Sequence, residues 1–290
     1  MLRKVSELVA RYKLEPSLRD VFVEGRVDAQ FVGRILRNLG LRNVIPYEVK
    51  TVEVPPGEVI SRGYEDGKRG RVLYLASEFE QTLAPESAAV TCVADRDYDY
   101  LLGRTHTSPF LLLVDYSCSE MYAFDEATIE EVIKAAQPGL QKPAKTVMAA
   151  LSSVLETLFV LRTTNIKLGL GLAWLESFTD DCTITGDAVE LELESFLTRY
   201  LNTKGMLARR QQFRAAYDLL RAGLQRDPRL SINGHDFVTL LAWYLRKHCK
   251  KANPLIDPKV LQQLLFAYVD PIRVSGEPFF RALVLRVTRP

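Results

Sequence analysis

The chain has 290 residues, of which 47% are hydrophobic and 26% charged, an ordinary globular composition that argues against wholesale disorder. Its length suits one large domain or two of ordinary size. The formal net charge is only +2, so the total charge does not point to a particular partner.

The cysteine pattern and the N-terminal sequence give an expectation about the compartment. Four cysteines are scattered without a C-x-x-C pair, which is typical of a reducing cytoplasm and not of a disulfide scaffold or zinc ribbon. The first residues are interrupted by charges, unlike a signal peptide, and no apolar run approaches the ~18–20 residues that span a bilayer. We expect a soluble cytoplasmic protein without a membrane partner.

The first third of the chain alternates helix and strand patterns. The predicted elements are an amphipathic helix at 2–14, a short buried strand in RDVFVEG, a helix at 27–39, an extended strand at 43–54 and a helix at 72–83. Pro46 favours an edge position for the strand that contains it. The segment between 55 and 71 is rich in Pro, Gly and charge and predicts a loop.

Two continuous apolar runs, AAVTCVAD (88–95) and PFLLLVD (109–115), are typical of central strands buried on both faces. Strands and helices thus alternate from about 20 to 120, which predicts an α/β domain with a mostly parallel sheet flanked by helices. Helical patterns dominate afterwards, at 126–137, 143–162, 188–201, 205–226, 236–250, 258–269 and 276–287. We therefore predict an α/β domain at 1–124 and a mainly α-helical domain at 125–290.

Acidic side chains cluster where the predicted strands end. They are Glu24 and Asp28 after the first strand, Asp95, Asp97 and Asp99 in DRDYD, and Asp115 and Glu120 after the last strand. In open α/β sheets, sites lie at the carboxyl ends of the strands, so parallel strands would bring these clusters to one edge.

Several carboxylates close together repel each other, and a hard divalent cation relieves that repulsion. Mg²⁺, or Mn²⁺ in its place, prefers oxygen ligands, and two such ions can stabilise both the attacking and the leaving oxygen in phosphodiester cleavage. Asp95 and Asp97 would share a face if the backbone stays extended. We therefore predict Glu24, Asp95 and Asp97 as catalytic residues and the whole acidic set as metal ligands.

The outer acids each have an ordinary alternative role. Asp28 is placed to cap the N-terminus of the helix at 27–39, and Asp99 could be a turn residue. Glu120 could be an acid that the helix dipole favours at a helix start. The sequence leaves both roles open for each of them.

These motifs resemble the Toprim domain, which topoisomerases, primases and OLD-type nucleases share and which carries a glutamate after its first strand and a D-x-D after a later one. A narrower similarity, to the Toprim effector nucleases of the PARIS anti-phage system, lies in VFVEGRVDAQFVGRIL, VADRDYDYL, LLLVDYSCSEMYAF, LRTTNIKLGL and SINGHDFVTLLAWYLRK. The resemblance implies a bacterial Mg²⁺-dependent endonuclease that an ABC-type ATPase partner restrains. It also implies release on infection and cleavage of host RNA, tRNA in particular; a homodimer is left open.

Basic side chains suggest contacts with such a substrate. Lys68 and Arg69 precede the helix at 72–83, and Arg209, Arg210 and Arg214 recur at helical spacing. Residues 176–194 carry seven acidic and no basic side chains, so the alternative for the second group is an exposed helical surface paired with that acidic stretch.

His235 and Asp236 follow SING and open an apolar helical pattern. Their ordinary role is at a helix start, capped by Asn233 or by Asp236 itself, and their functional alternative is support for the acidic site.

Two other functions fit parts of the sequence. A phosphatase similar to the haloacid dehalogenases uses a D-x-D motif after a hydrophobic strand, and here Asp180, Asp181 and Lys145 or Lys167 could complete it. That family places its motif on the first core strand, which leaves VEGRVD unexplained. A degenerate α/β domain that only binds an ATPase would fold and bind without divalent ions.

Overall fold

The structure is a computed structural model that describes residues 2–249 and 253–289. Its strands in this part are β1 (Arg3–Lys4), β2 (Asp20–Val23), β3 (Ile45–Glu48), β4 (Val52–Glu53), β5 (Val90–Ala94), β6 (Leu111–Leu113), β7 (Cys182–Thr185) and β8 (Ala188–Leu191). Its α-helices are α1 (Val5–Leu14), α2 (Arg26–Asn38), α3 (Pro56–Ser61), α4 (Lys68–Thr82), α5 (Asp99–Leu102), α6 (Glu126–Ala136), α7 (Ala144–Lys167), α8 (Leu193–Asn202), α9 (Arg210–Ala222), α10 (Gly234–Lys247), α11 (Pro258–Tyr268), α12 (Pro271–Ser275) and α13 (Pro278–Val287).

The chain divides into two compact units. The first unit consists of 1–96, 105–115 and 269–290, and the second of 97–104 and 116–268. The division differs from the boundary predicted near residue 125, because the C-terminal helices α12 and α13 group with the N-terminal sheet. The sequence pattern alone does not reveal such a return of the chain.

The first unit contains a four-stranded parallel sheet with the strand order β3-β2-β5-β6. Its two inner strands, β2 and β5, are buried along their whole length, as expected for strands with helices on both faces. The α/β class with a parallel sheet flanked by helices, followed by a helical region, is thereby confirmed.

One edge strand of the sheet was predicted correctly from the sequence and the other was not. β3 is an edge strand, as predicted from Pro46, which has no backbone N–H to donate to a further strand. The prediction that PFLLLVD is a central strand was wrong, because β6 forms the opposite edge of the four-stranded sheet. The apolar side chains of β6 are explained instead by the packing of α13 against this strand. The Arg286 guanidinium of α13 also donates to the Leu111 carbonyl at 3.0 Å.

Aromatic rings form the centre of the first unit's core. Phe79 of α4 lies with its ring centroid 5.6 Å from that of Tyr12, 6.4 Å from Phe22 and 6.2 Å from Phe110. All four side chains are almost fully buried, so α1 and α4 are packed on the sheet through one aromatic cluster.

The segment predicted as a loop between 55 and 71 is more ordered than its composition indicates. It contains α3 and the first turn of α4, so Lys68 and Arg69 belong to a helix. Gly70 explains the tight entry to that helix, because an added Cβ would lie 1.9 Å from the carbonyl oxygen of Glu65.

The second unit is mainly helical and is built around α7, which packs against α6, α9 and α10. By length and composition this 24-residue helix could cross a membrane, but 61% of its apolar window is buried inside the protein. That burial is consistent with the core helix of a soluble protein.

The predicted helix at 188–201 was partly wrong. Residues 182–191 form an antiparallel hairpin, β7–β8, and α8 begins only at Leu193. Gly186 at the turn has φ 63°, a left-handed conformation that glycine adopts without strain.

Candidate functional site

The ends of the two inner strands carry the acidic pair Glu24 and Asp95. Each residue follows its strand directly, β2 in one case and β5 in the other, and the two strands are paired in parallel. The carboxylate oxygen Oε1 of Glu24 accepts a hydrogen bond from the backbone N–H of Asp95 at 2.9 Å. Both side chains are of intermediate exposure, so the two carboxylate-bearing residues meet at a solvent-accessible sheet edge.

Asp28 binds back to the turn between β2 and α2. Its Oδ2 accepts from the backbone N–H of Gly25 at 2.9 Å, which is half of a capping box at the start of α2. The cap position itself is Gly25, so Asp28 lies in the first helical turn instead of capping the helix through its own position. An added Cβ on Gly25 would lie 3.0 Å from this Oδ2, which explains the glycine there.

Two basic residues of the first turn of α4 lie beside the same strand ends. The Nε of Arg69 donates to the carbonyl oxygen of Asp95 at 2.8 Å. The Nζ of Lys68 lies 3.6 Å from the position that a Cβ on Gly25 would occupy. The structure thus brings Glu24, Asp95, Lys68 and Arg69 together in the first unit.

Asp97 and Asp99 belong to the second unit. Asp97 has φ 46°, the one positive φ among the non-glycine residues that the structure describes, and its N–H donates to the carbonyl of Ser117 at 2.7 Å. Because β5 ends at Ala94, the extended backbone that would place Asp95 and Asp97 on one face is absent. Asp99 begins the short helix α5 and is buried at 6% exposure.

Asp115 lies at the N-terminus of α13 in the first unit. Its Oδ1 and Oδ2 accept from the backbone N–H of Phe279 at 3.0 and 3.3 Å. The first N–H groups of a helix have no intrahelical partner, so this carboxylate satisfies one of them and interacts favourably with the helix dipole.

Glu120 has a similar environment in the second unit. Its Oε1 accepts from the Nε2 of Gln262 at 2.7 Å. A Cβ on Gly234, the first residue of α10, would lie 2.3 Å from Oε2 of Glu120. The carboxylate therefore occupies the space that a side chain at 234 would need, next to a helix N-terminus.

The start of α10 holds His235 and Asp236 in different environments. Asn233 caps the helix by accepting from the N–H groups of both residues. His235 is exposed, with Nε2 3.0 Å from a carboxylate oxygen of Glu176.

Asp236 is fully buried and accepts two hydrogen bonds from the guanidinium of Arg162, at 2.7 and 2.8 Å. Burial acts to lower the pKa of Arg162, but the hydrogen bonds and charge of Asp236 outweigh it, so that pKa is raised. The Cζ of Arg162 also lies 3.8 Å from the ring centroid of Trp174. Arg162 lies in the motif LRTTNIKLGL, but no local pattern indicates its role, because its partner is 74 residues away.

The arginines of the second unit lie against the acidic stretch. Arg210 and Arg214 both form ion pairs with Glu194, the second at 2.8 Å, and Arg214 also approaches Asp218 at 3.3 Å. Arg209 donates to the side chain of Gln212 at 2.9 Å. These contacts match the alternative of an exposed helical surface paired with residues 176–194.

The donor set at the strand ends suits a hard divalent cation. Within the residues that the structure describes, no group of three or more His, Cys, Asp or Glu side chains is arranged to hold a metal ion. Mg²⁺, however, is commonly bound through one or two carboxylates together with water and substrate phosphate. The carboxylate groups of Glu24 and Asp95, at adjacent strand ends, fit that requirement in number and in chemistry.

No family model matches the chain, and no curated protein matches it significantly.

Proposed function

We propose that this protein is a metal-dependent phosphodiesterase of the Toprim class that cleaves nucleic acid. The observation that supports this most directly is the hydrogen bond between Glu24 and the N–H of Asp95, which holds the two acidic residues together at the carboxyl ends of paired parallel strands. The order of the motifs along the chain supports the proposal through the resemblance described above.

In this proposal the residues of the first unit have distinct tasks. Glu24 and Asp95 would hold Mg²⁺, which when bound polarises a phosphate oxygen and activates water for attack on phosphorus. The N–H of Asp95 fixes the orientation of the Glu24 carboxylate. The Lys68 ammonium, beside Gly25, would balance the negative charge of the phosphate that approaches the site.

The reaction proposed is hydrolysis of a phosphodiester. Water adds to phosphorus, the bond to the leaving oxygen breaks, and the proton from water ends on that oxygen or in solvent. Asp97 is included among the catalytic residues on the strength of the D-x-D motif. Its backbone is left-handed and lies beyond the end of β5.

The biological setting follows from the motif resemblance. We propose a bacterial cytoplasmic effector of anti-phage defence that an ABC-type ATPase restrains and that cleaves host RNA, tRNA in particular, after its release.

The test is incubation of purified protein with tRNA, single-stranded RNA and plasmid DNA, in Mg²⁺ or EDTA, beside Glu24→Gln and Asp95→Asn. We expect cleavage only in Mg²⁺ and only by the wild type. Cleavage that persists in EDTA or in Glu24→Gln would contradict the proposal, and hydrolysis of phosphomonoesters that is lost in Asp95→Asn would support a phosphatase instead.

A binding measurement makes the test independent of activation by a partner. Mg²⁺ that binds the folded state raises the melting temperature of the wild type. We expect that rise to disappear in the double variant Glu24→Gln/Asp95→Asn, whereas Glu176→Gln, an exposed acid of the second unit, should retain it. An equal rise in all three proteins would show that the site does not hold the ion.

A further inference from the structure

A groove in the first unit lies between α2 and the edge strand β3. It has a volume of ≈ 420 Å³, and its lining includes Arg26, Arg37 and Arg42 together with Pro46, Tyr47 and Glu48. No sequence motif indicates this groove, because its three arginines are spread over 17 positions, two on α2 and one in the connection to β3.

The groove is positively charged. All three arginines are exposed residues, and none forms an ion pair with a carboxylate of residues 2–249 or 253–289. The one carboxylate in the lining, Glu48, is buried and lies 2.7 Å from the Nζ of Lys50. Three arginines without ion-pair partners face one concave surface here, whereas Arg210 and Arg214 of the second unit are both paired with Glu194.

The spacing of the arginines follows the axis of α2. Arg26 and Arg37 are eleven residues apart, which is close to three helical turns, so they lie on the same face and about 16 Å apart. Gly33 lies between them, and an added Cβ there would lie 3.1 Å from Nη1 of Arg37 and 3.5 Å from Pro46. The glycine thus lets the helix approach the edge strand and lets the Arg37 guanidinium lie across the gap.

The groove begins beside the candidate site. Arg26 follows Gly25 directly and is two residues from Glu24, whose carboxylate binds the N–H of Asp95. A linear polyanion that lies in the groove would therefore reach Glu24 and Asp95 with one of its termini. Guanidinium groups bind phosphate oxygens in pairs of hydrogen bonds, which favours a phosphate backbone over isolated carboxylates.

We infer that the groove between α2 and β3 binds the phosphate backbone of a nucleic-acid strand and directs it to Glu24 and Asp95. The direction toward those residues rests on the proposed function, whereas the binding itself does not. The inference assigns the substrate contact to Arg26, Arg37 and Arg42 instead of Arg209, Arg210 and Arg214.

The test measures binding of a fluorescent single-stranded RNA by anisotropy in EDTA, in a Glu24→Gln background that prevents cleavage. The variant is Arg37→Glu/Arg42→Glu, and the matched control is Arg226→Glu/Arg281→Glu, which reverses two exposed arginines and changes the net charge equally. We expect the groove variant to lose at least about tenfold in affinity and its log–log salt slope to fall by about 1.4, because each phosphate that an arginine neutralises adds ~0.7 to that slope. The control should change affinity by less than about twofold, since its arginines neutralise no phosphate of the bound strand.

A second variant separates a loss of charge from a loss of folding. Arg37→Lys/Arg42→Lys keeps both charges and should retain a measurable salt slope, with an intermediate affinity. Equal losses in the groove variant and its control would overturn the inference, as would tighter binding of poly-glutamate than of RNA, which would point to an acidic protein partner. If groove-dependent RNA binding is found but the wild type cleaves nothing in Mg²⁺, the proposed nuclease fails and the groove assignment stands.

Discussion

The Oε1 of Glu24 accepts a hydrogen bond from the backbone N–H of Asp95, 71 residues away in sequence and 2.9 Å away in space. The contact joins the ends of two paired strands, so the same carboxylate that the proposed chemistry needs also has a structural partner. Its charge and its hydrogen bond can be removed separately.

Glu24→Gln removes the negative charge but keeps an oxygen that can accept from the N–H of Asp95. We expect Mg²⁺-dependent cleavage to fall by at least ~100-fold, since electrostatic groups at active sites commonly contribute that much. The free energy of unfolding in urea should stay within about 0.5 kcal/mol of the wild type. Glu24→Ala should lose the same activity and a further ~1 kcal/mol of stability, because the hydrogen bond is removed as well. Equal activity of Glu24→Gln and the wild type would contradict the proposed role.

The positions of Glu24 and Asp95 could be predicted from the sequence because each follows a short apolar run. Such runs form inner strands of a parallel sheet, and the residues just after them lie at its carboxyl edge. Pro46 likewise indicated the edge strand through its missing N–H. These are local signals, and they were sufficient for the centre of the sheet.

The remaining features depend on contacts distant in sequence. Asp115 is engaged by the N–H of Phe279, and Asp236 by Arg162, and no local pattern reveals either partner. The β7–β8 hairpin differs, since the alternation of AVELEL after the Gly186–Asp187 turn is a local strand pattern that overlaps the start of the predicted helix at 188–201. The left-handed backbone of Asp97 was not predictable, because aspartate adopts that conformation in only a minority of cases.

The positive φ of Asp97 allows stability and function to be separated at that position. The left-handed conformation costs about 1–2 kcal/mol for a residue with a Cβ and little for glycine. We therefore expect the free energy of unfolding of Asp97→Gly, measured in urea, to exceed that of Asp97→Ala by about 1 kcal/mol. This holds although glycine is the more flexible residue in the unfolded chain. Neither variant should cleave RNA. Greater stability of Asp97→Ala would show that the backbone at this position is not left-handed.

Asp20 gives the first unit a pH-dependent contribution to stability. It is 3% exposed, and its Oδ2 accepts from the Tyr12 hydroxyl at 3.0 Å, with Arg11 at 3.7 Å. Burial raises the pKa of the carboxyl above its usual 3.8, although the hydrogen bond from Tyr12 and the charge of Arg11 act to lower it. A raised folded-state pKa means that the contribution is present below the unfolded value and is lost as the pH rises through the folded value.

The stabilisation that Asp20→Asn gives should therefore be larger at neutral than at acidic pH, because the buried charge that the amide removes forms only as the pH rises through the raised folded-state pKa of Asp20. The amide oxygen can still accept from Tyr12, so the hydrogen bond is retained. Urea unfolding of both proteins across this range measures the difference. A larger stabilisation at the acidic end than at pH 7 would reverse the sign and show that Asp20 has a lowered pKa.

Removing one partner of the buried pair of Arg162 and Asp236 should be among the more destabilising single changes in the second unit. Asp236→Ala leaves a guanidinium that is 18% exposed without its bidentate partner, which typically costs about 3–5 kcal/mol. The double variant Arg162→Met/Asp236→Leu removes both charges, so it should be much less destabilised than the sum of the single changes. Because Arg162 stacks on Trp174, fluorescence in a Trp243→Phe background reports the same unit during urea unfolding. Additive losses in the double variant would mean that the two charges do not depend on each other.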